Sequence, residues 1–177
     1  VFQIAELPLL AGRIGSCPLP GRTGDYAGDL AIVLSWQPSL VVSLTSDIEL
    51  ESAGAEEIGA DLVRAGVTWR HLPVCDFRAP SAETSARWPE FSLEARGVLA
   101  QGGAVLAHCY GGCGRSGMAL LRLMVDAGEA PNSALERLRQ VQSCAVESAA
   151  QFAWAGGEVR GWTTTQTGLV TAASFRT

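Results

Sequence analysis

The stretch AVLAHCYGGCGRSGMALLRLMV, Ala104–Val125, changes character in its middle. An apolar run ends at His108-Cys109, a glycine-rich loop follows, and after Arg115-Ser116 a second apolar run begins. The first run is short and bounded by turn residues, which predicts a buried strand over Ala104–His108. The second is apolar nearly all round, which predicts a buried helix over Ser116–Gly128. A strand that turns through glycines into a helix is the unit from which parallel sheets are built, and such sheets bind ligands at the carboxyl ends of their strands.

Working outward, further strands are predicted at Gln3–Leu7, Leu40–Leu44 and Val67–Val74. Helices are predicted between and after them. Gly54–Gly66 places Ala55, Ile58, Leu62 and Ala65 on one face, with Gly66 as its stop. Thr84–Gly103 reads as a helix broken or restarted near Pro89. Pro131–Val141 begins with proline at its first turn, and Val146–Gly157 gives a shorter helix. The carboxylates of Asp47–Glu57 read as a solvated helix face. His71 reads as packed or capping, and Trp36, Trp69, Trp88 and Trp154 read as core. Alternating strands and helices predict an α/β fold with a mostly parallel central sheet flanked by helices. The 177 residues are read as a single domain, with 155–177 as a tail or small added element of weak periodicity.

Composition narrows the function. The chain is 47% hydrophobic and 18% charged, as a globular domain is, and its net charge of −5 argues against nucleic acid or an anionic membrane as partner. Five cysteines without a CxxC pair fit a reducing compartment better than a disulfide scaffold or zinc site, so a cytoplasmic setting is expected. No run reaches transmembrane length.

The loop itself carries the chemistry. Gly111, Gly112 and Gly114 allow the backbone to curl and bring N–H groups near a ligand, and the helix N-terminus adds partial positive charge. Arg115 supplies a planar fork for two phosphate oxygens. The same positive field favours the thiolate of Cys109, a nucleophile at the base of an anion cradle. A P-loop NTPase is excluded because no Lys-Ser/Thr pair ends the loop, and a dinucleotide fingerprint because the glycine spacing differs.

HCYGGCGRS, His108–Ser116, resembles the His-Cys-five-residues-Arg-Ser/Thr signature of the cysteine-based protein tyrosine phosphatase superfamily. With GVTWRHLPV upstream and AVESAAQF downstream, it is similar to the kinase-associated branch of the dual-specificity phosphatases, best from about Val41 to Trp154. The resemblance implies hydrolysis of phosphotyrosine, and of phosphoserine or phosphothreonine, in protein substrates, without metal or cofactor. Cys109 would be the nucleophile, and Arg115 with the N–H groups of Tyr110, Gly111, Gly112, Cys113 and Gly114 would bind phosphate. Asp76, in the loop HLPVCDFRAPS, would be acid and then base, with Asp47, Asp61 and Glu83 as rivals. Ser116 would hydrogen-bond the departing thiolate, His108 would orient the loop, and Gln151 would sit near the hydrolytic water. The alternatives are a non-protein phosphate substrate, a non-catalytic phosphate-binding module, and a sulfur- or arsenate-handling enzyme. Reversible oxidation of Cys109 is a further expectation, with Cys113 favoured over Cys75 as its resolving thiol.

Overall fold

The computed structural model describes residues 1–156, so most of the expected tail at 155–177 lies outside the described residues. Five strands form one sheet in the order β1-β2-β5-β3-β4. They are β1 (Ala5–Leu9), β2 (Gly12–Pro18), β3 (Leu40–Ser43), β4 (Thr68–His71) and β5 (Ala104–Cys109). The helices are α1 (Tyr26–Ser35), α2 (Asp47–Ser52), α3 (Ile58–Arg64), α4 (Ala82–Ala100), α5 (Gly114–Asp126), α6 (Pro131–Val141) and α7 (Ala149–Trp154).

The sheet is mostly parallel, as the sequence predicts. β2 pairs with β5, β5 with β3, and β3 with β4, all parallel, while the edge strand β1 pairs antiparallel with β2. Alternation along the strands divides the core in two. Leu40, Val42, Val105 and Ala107 face a cluster that includes Trp88, Phe91, Met118, Leu120 and Phe152. Val41 and Leu106 face Leu19, Val33, Ile58 and Leu62 on the opposite side. Both faces of β5 are thereby covered, and His108 and Cys109 at its carboxyl end are buried with it.

Three expectations are corrected. First, β2 and α1 occupy segments to which no element was assigned. Second, α4 runs unbroken through Pro89. Pro89 is exposed, so water can hydrate the carbonyl that loses its helical partner. Third, Cys113 and Cys144 form a disulfide with Cα atoms 5.3 Å apart, which removes the cysteine-count argument for a reducing compartment. It also withdraws Cys113 as a free resolving thiol, leaving Cys17, Cys75 and Cys109 free. Among the described residues no helix is long and apolar enough to cross a membrane.

Candidate active site

Cys109 ends β5, and α5 begins at Gly114, so the loop between them closes over the carboxyl edge of the sheet. The loop's carbonyls are drawn outward. Leu44 N–H donates to His108 O at 2.9 Å, Leu19 N–H to Tyr110 O at 3.3 Å, and Gln142 Nε2 to Gly112 O at 2.6 Å. Gly112 N–H instead turns inward and donates to Cys109 Sγ at 3.2 Å. Gly112 has φ +75°, and a Cβ there would lie 2.5 Å from Pro18 N, so only glycine fits. The buried Cys109 thiol also meets Ser116 Oγ at 3.4 Å, one turn into α5.

Arg115 is 1% exposed, an unusual position for a guanidinium. Its burial is offset by Glu49, whose two carboxylate oxygens accept from Nη1 and Nη2 at 2.8 Å each, and by Val74 O, which accepts from Nη1 at 3.1 Å. Burial alone would favour the neutral guanidine, but Glu49 and the charges of Cys109 and Asp76 outweigh it and raise the Arg115 pKa. For Glu49 burial likewise opposes the charged form, and the Arg115 and Ser46 hydrogen bonds with the guanidinium charge hold its carboxyl below the usual range. Arg115 Nε is buried and makes no hydrogen bond within the described residues. It forms an ion pair with Asp76 Oδ1 at 3.3 Å.

Asp47, Glu51, Glu56 and Glu57 are exposed, in keeping with a solvated face, and Glu49 is the exception. Ser46 caps α2 in a capping box, accepting from Glu49 N–H while the Glu49 carboxylate accepts from Ser46 N–H. That box fixes the carboxylate that grips Arg115. The Ser-x-x-Glu spacing of Ser46–Glu49 is a recognisable sequence signal for a helix start, though not for its arginine partner.

His108 is fully buried, and its Nε2 shares a 2.6 Å hydrogen bond with Ser43 Oγ, which also accepts from Trp69 Nε1 at 2.8 Å. Burial, with the charges of His71 and Arg115, lowers its pKa to about 3, so the ring is neutral at working pH. His71 stacks on Trp69 and reaches Thr45 O at 2.7 Å, in keeping with a packed, capping role.

The structure brings Asp76 to the site and leaves its rivals outside. Asp61 accepts from Tyr26 Oη at 2.6 Å and pairs with Arg64, the Asp47 side chain is 93% exposed beside His71, and Glu83 lies in the first turn of α4. Asp76 sits in a turn closed by Arg78 N–H to Cys75 O at 3.1 Å. Gln151 is fully buried, its Oε1 accepts from Glu147 N–H at 2.8 Å, and its Nε2 has no partner among the described residues.

Glu147 is a residue that sequence reasoning missed. Its Oε2 lies where a Cβ of Gly114 would project, and Gln151 Nε2 lies 3.1 Å from that same point. Burial and the Asp76 charge push the Glu147 carboxyl up, against the opposing pull of Gly114 N–H and Arg115. Beyond the loop, the Arg22 guanidinium lies 5.4 Å from the centroid of the Tyr110 ring.

A family model described as "Polymorphic toxin system, DSP-PTPase phosphatase" matches residues 20–129. No curated protein matches the sequence. Among solved structures, kinase associated phosphatase with its catalytic cysteine replaced by serine has a TM-score of 0.75 at 21% identity, covering 87% of this chain and 92% of that one. Tk-PTP in its active form has a TM-score of 0.62 at 31% identity, covering 82% and 90%. PTPMT1 in complex with PI(5)P has a TM-score of 0.66 at 16% identity, covering 85% and 92%. The first and third share the fold, and Tk-PTP shares sequence as well. The chain thus belongs to the DSP-PTPase phosphatases, within the cysteine-based protein tyrosine phosphatase superfamily.

Proposed function

We propose that this phosphatase hydrolyses phosphotyrosine, and also phosphoserine or phosphothreonine, in protein substrates through a phosphocysteine intermediate. The observation that carries this reading is the convergence on one loop of the Cys109 thiol, the inward Gly112 N–H and the buried Arg115 guanidinium, whose Nε makes no hydrogen bond among the described residues and is ion-paired with Asp76.

In the first step the Cys109 thiolate attacks phosphorus in line with the leaving oxygen, forming the S–P bond as the P–O bond breaks. Arg115 Nε and the N–H groups from Tyr110 to Gly114 stabilise the equatorial oxygens, in a place where burial strengthens each interaction. Asp76 gives its proton to the leaving oxygen. In the second step Asp76 takes a proton from water, the water oxygen attacks phosphorus, and the S–P bond breaks to return the thiolate and free phosphate. Ser116 Oγ, at 3.4 Å from Sγ, steadies the departing sulfur. Gln151 Nε2 orients the water, while its Oε1 is fixed by Glu147 N–H. Neutral His108 holds the loop by its Ser43 hydrogen bond. No residue of this scheme requires a metal or cofactor.

The neutral loop Tyr110–Gly114 and the net charge of −5 favour protein over lipid phosphate. The test is release of phosphate from phosphotyrosine, phosphoserine and phosphothreonine peptides, from nucleotides and from vesicles containing PI(5)P, with p-nitrophenyl phosphate as reference and with vanadate or EDTA added. Vanadate inhibition, insensitivity to EDTA and preference for phosphopeptides are expected. Preference for the lipid or a nucleotide would overturn the substrate assignment, and binding without turnover would leave a phosphate-binding module.

A further inference from the structure

The segment between α6 and α7 touches both catalytic loops. At one end Gln142 Nε2 donates to Gly112 O at 2.6 Å, and Cys144 is covalently joined to Cys113. In the middle the Arg139 guanidinium donates to Ala145 O at 2.9 Å and to Val146 O at 2.7 Å. At the other end Ser148 Oγ donates to Phe77 O at 2.9 Å, the carbonyl that directly follows Asp76. Residues 142–148 thus form a strap from the phosphate loop to the acid loop.

Backbone strain collects where the strap meets the acid loop. Four described residues other than glycine have positive φ, and two of them are Phe77 at +59° and Val146 at +63°. A bulky or β-branched residue keeps that conformation only where its surroundings over-determine it, and such residues cluster at functional sites. Val146 is held by burial and by Arg139. Phe77 has no such burial, being 59% exposed. Its N–H donates to the Asp76 carboxylate at 3.1 Å, and its carbonyl accepts from the Ser148 hydroxyl.

We propose that Ser148 is a positioning residue: its hydroxyl latches the acid loop to the strap and holds Asp76 over the phosphate loop beside Arg115. The proposal rests on the assignment of Asp76 as general acid. The hydroxyl serves two partners, donating to Phe77 O and accepting from Gln151 N–H at 3.3 Å as the N-cap of α7. The two roles separate by substitution. Glycine is an acceptable N-cap without a donor, and threonine keeps both functions.

The experiment compares phenyl phosphate, a poor leaving group, with p-nitrophenyl phosphate, a good one, for the full chain and for Ser148→Gly, Ser148→Thr, Asp76→Asn and the Ser148→Gly/Asp76→Asn double variant. Ser148→Gly should lower kcat/KM on phenyl phosphate by about 3- to 10-fold, the occupancy governed by one net hydrogen bond, with little loss of kcat/KM on p-nitrophenyl phosphate. Ser148→Thr should restore kcat/KM, and Ser148→Gly should add nothing to Asp76→Asn. An equal loss on both substrates, or an additive loss in the double variant, would make Ser148 merely structural and overturn the latch. So would wild-type kinetics in Ser148→Gly when Asp76→Asn shows its leaving-group-dependent loss. If Asp76→Asn shows no such dependence, the acid assignment itself fails and the latch with it.

Discussion

Arg115 and Glu49 face one another through two parallel hydrogen bonds of 2.8 Å, across a sequence separation of 66 residues. This pair presets the guanidinium before a substrate arrives. The two Nη groups are held by Glu49 and Val74 O, and Nε is ion-paired with Asp76 at 3.3 Å. The fold therefore fixes the fork's orientation at the cost of burying two charges that must stay paired.

Breaking that pair should misplace the arginine rather than remove it. Glu49→Gln is expected to lower kcat/KM on p-nitrophenyl phosphate by about 10- to 100-fold, mostly through KM, because a charge-assisted fork becomes a single neutral contact beside a buried cation. Steady-state kinetics and phosphate inhibition constants check this. Arg115→Lys, which cannot form the fork, should do at least as much damage.

Asp76 is expected to reveal itself through the leaving group. Asp76→Asn should lower kcat/KM on phenyl phosphate by roughly 10²- to 10⁴-fold and on p-nitrophenyl phosphate much less. Equal losses on the two substrates would instead indicate that Asp76 only shapes its turn.

His108 links folding to pH. Its pKa is about 3 in the folded chain, against 6.5 for the unperturbed group. Between those values the unfolded chain takes up a proton that the folded chain does not. Its contribution to stability is therefore intact above the unfolded value and drains away as pH falls towards the folded one. Urea unfolding at pH 7 and pH 5 should show the wild type losing about 2 kcal/mol more than His108→Asn over that interval. Parallel losses in the two proteins would contradict the buried, neutral imidazole.

The Cys113–Cys144 bond closes a loop over a sequence separation of 31. Restricting the unfolded chain in this way should stabilise the fold by roughly 2–4 kcal/mol. Cys144→Ser, or reduction with dithiothreitol, is expected to lower the unfolding midpoint accordingly. An unchanged midpoint on reduction would show that the bond carries no stability.

The elements that build the site were legible in the sequence because their patterns are local. Ala104–Cys109 is uniformly buried, α5 carries an apolar surface from Met118 to Met124, and the loop between them holds its residue types at fixed spacing. What the sequence pattern does not show depends largely on pairings between segments distant in the chain, such as β2 with β5 and Glu49 with Arg115. β2 reads GRIGSCP, whose glycines and proline obscure a strand pattern, and it becomes a strand by inserting between β1 and β5. Glu49 looked like one of several surface acids, and its role follows only from meeting Arg115. Cys144 has no motif, and its partner is fixed by the turn after α6. The Ser148 contact with Phe77 O is a side-chain-to-backbone bond that residue patterns do not encode.

The central claim is a covalent bond between phosphorus and Cys109. Rapid acid quench during turnover of p-nitrophenyl phosphate, followed by intact and peptide mass measurement, tests it most directly. The peptide containing Cys109 should gain the mass of one phosphoryl group in Asp76→Asn, where hydrolysis of the intermediate is slowed, and Cys109→Ser should neither trap phosphate nor turn over while still binding vanadate. A Cys109→Ser protein that retains turnover, or a phosphoryl group found on another residue, would contradict the account.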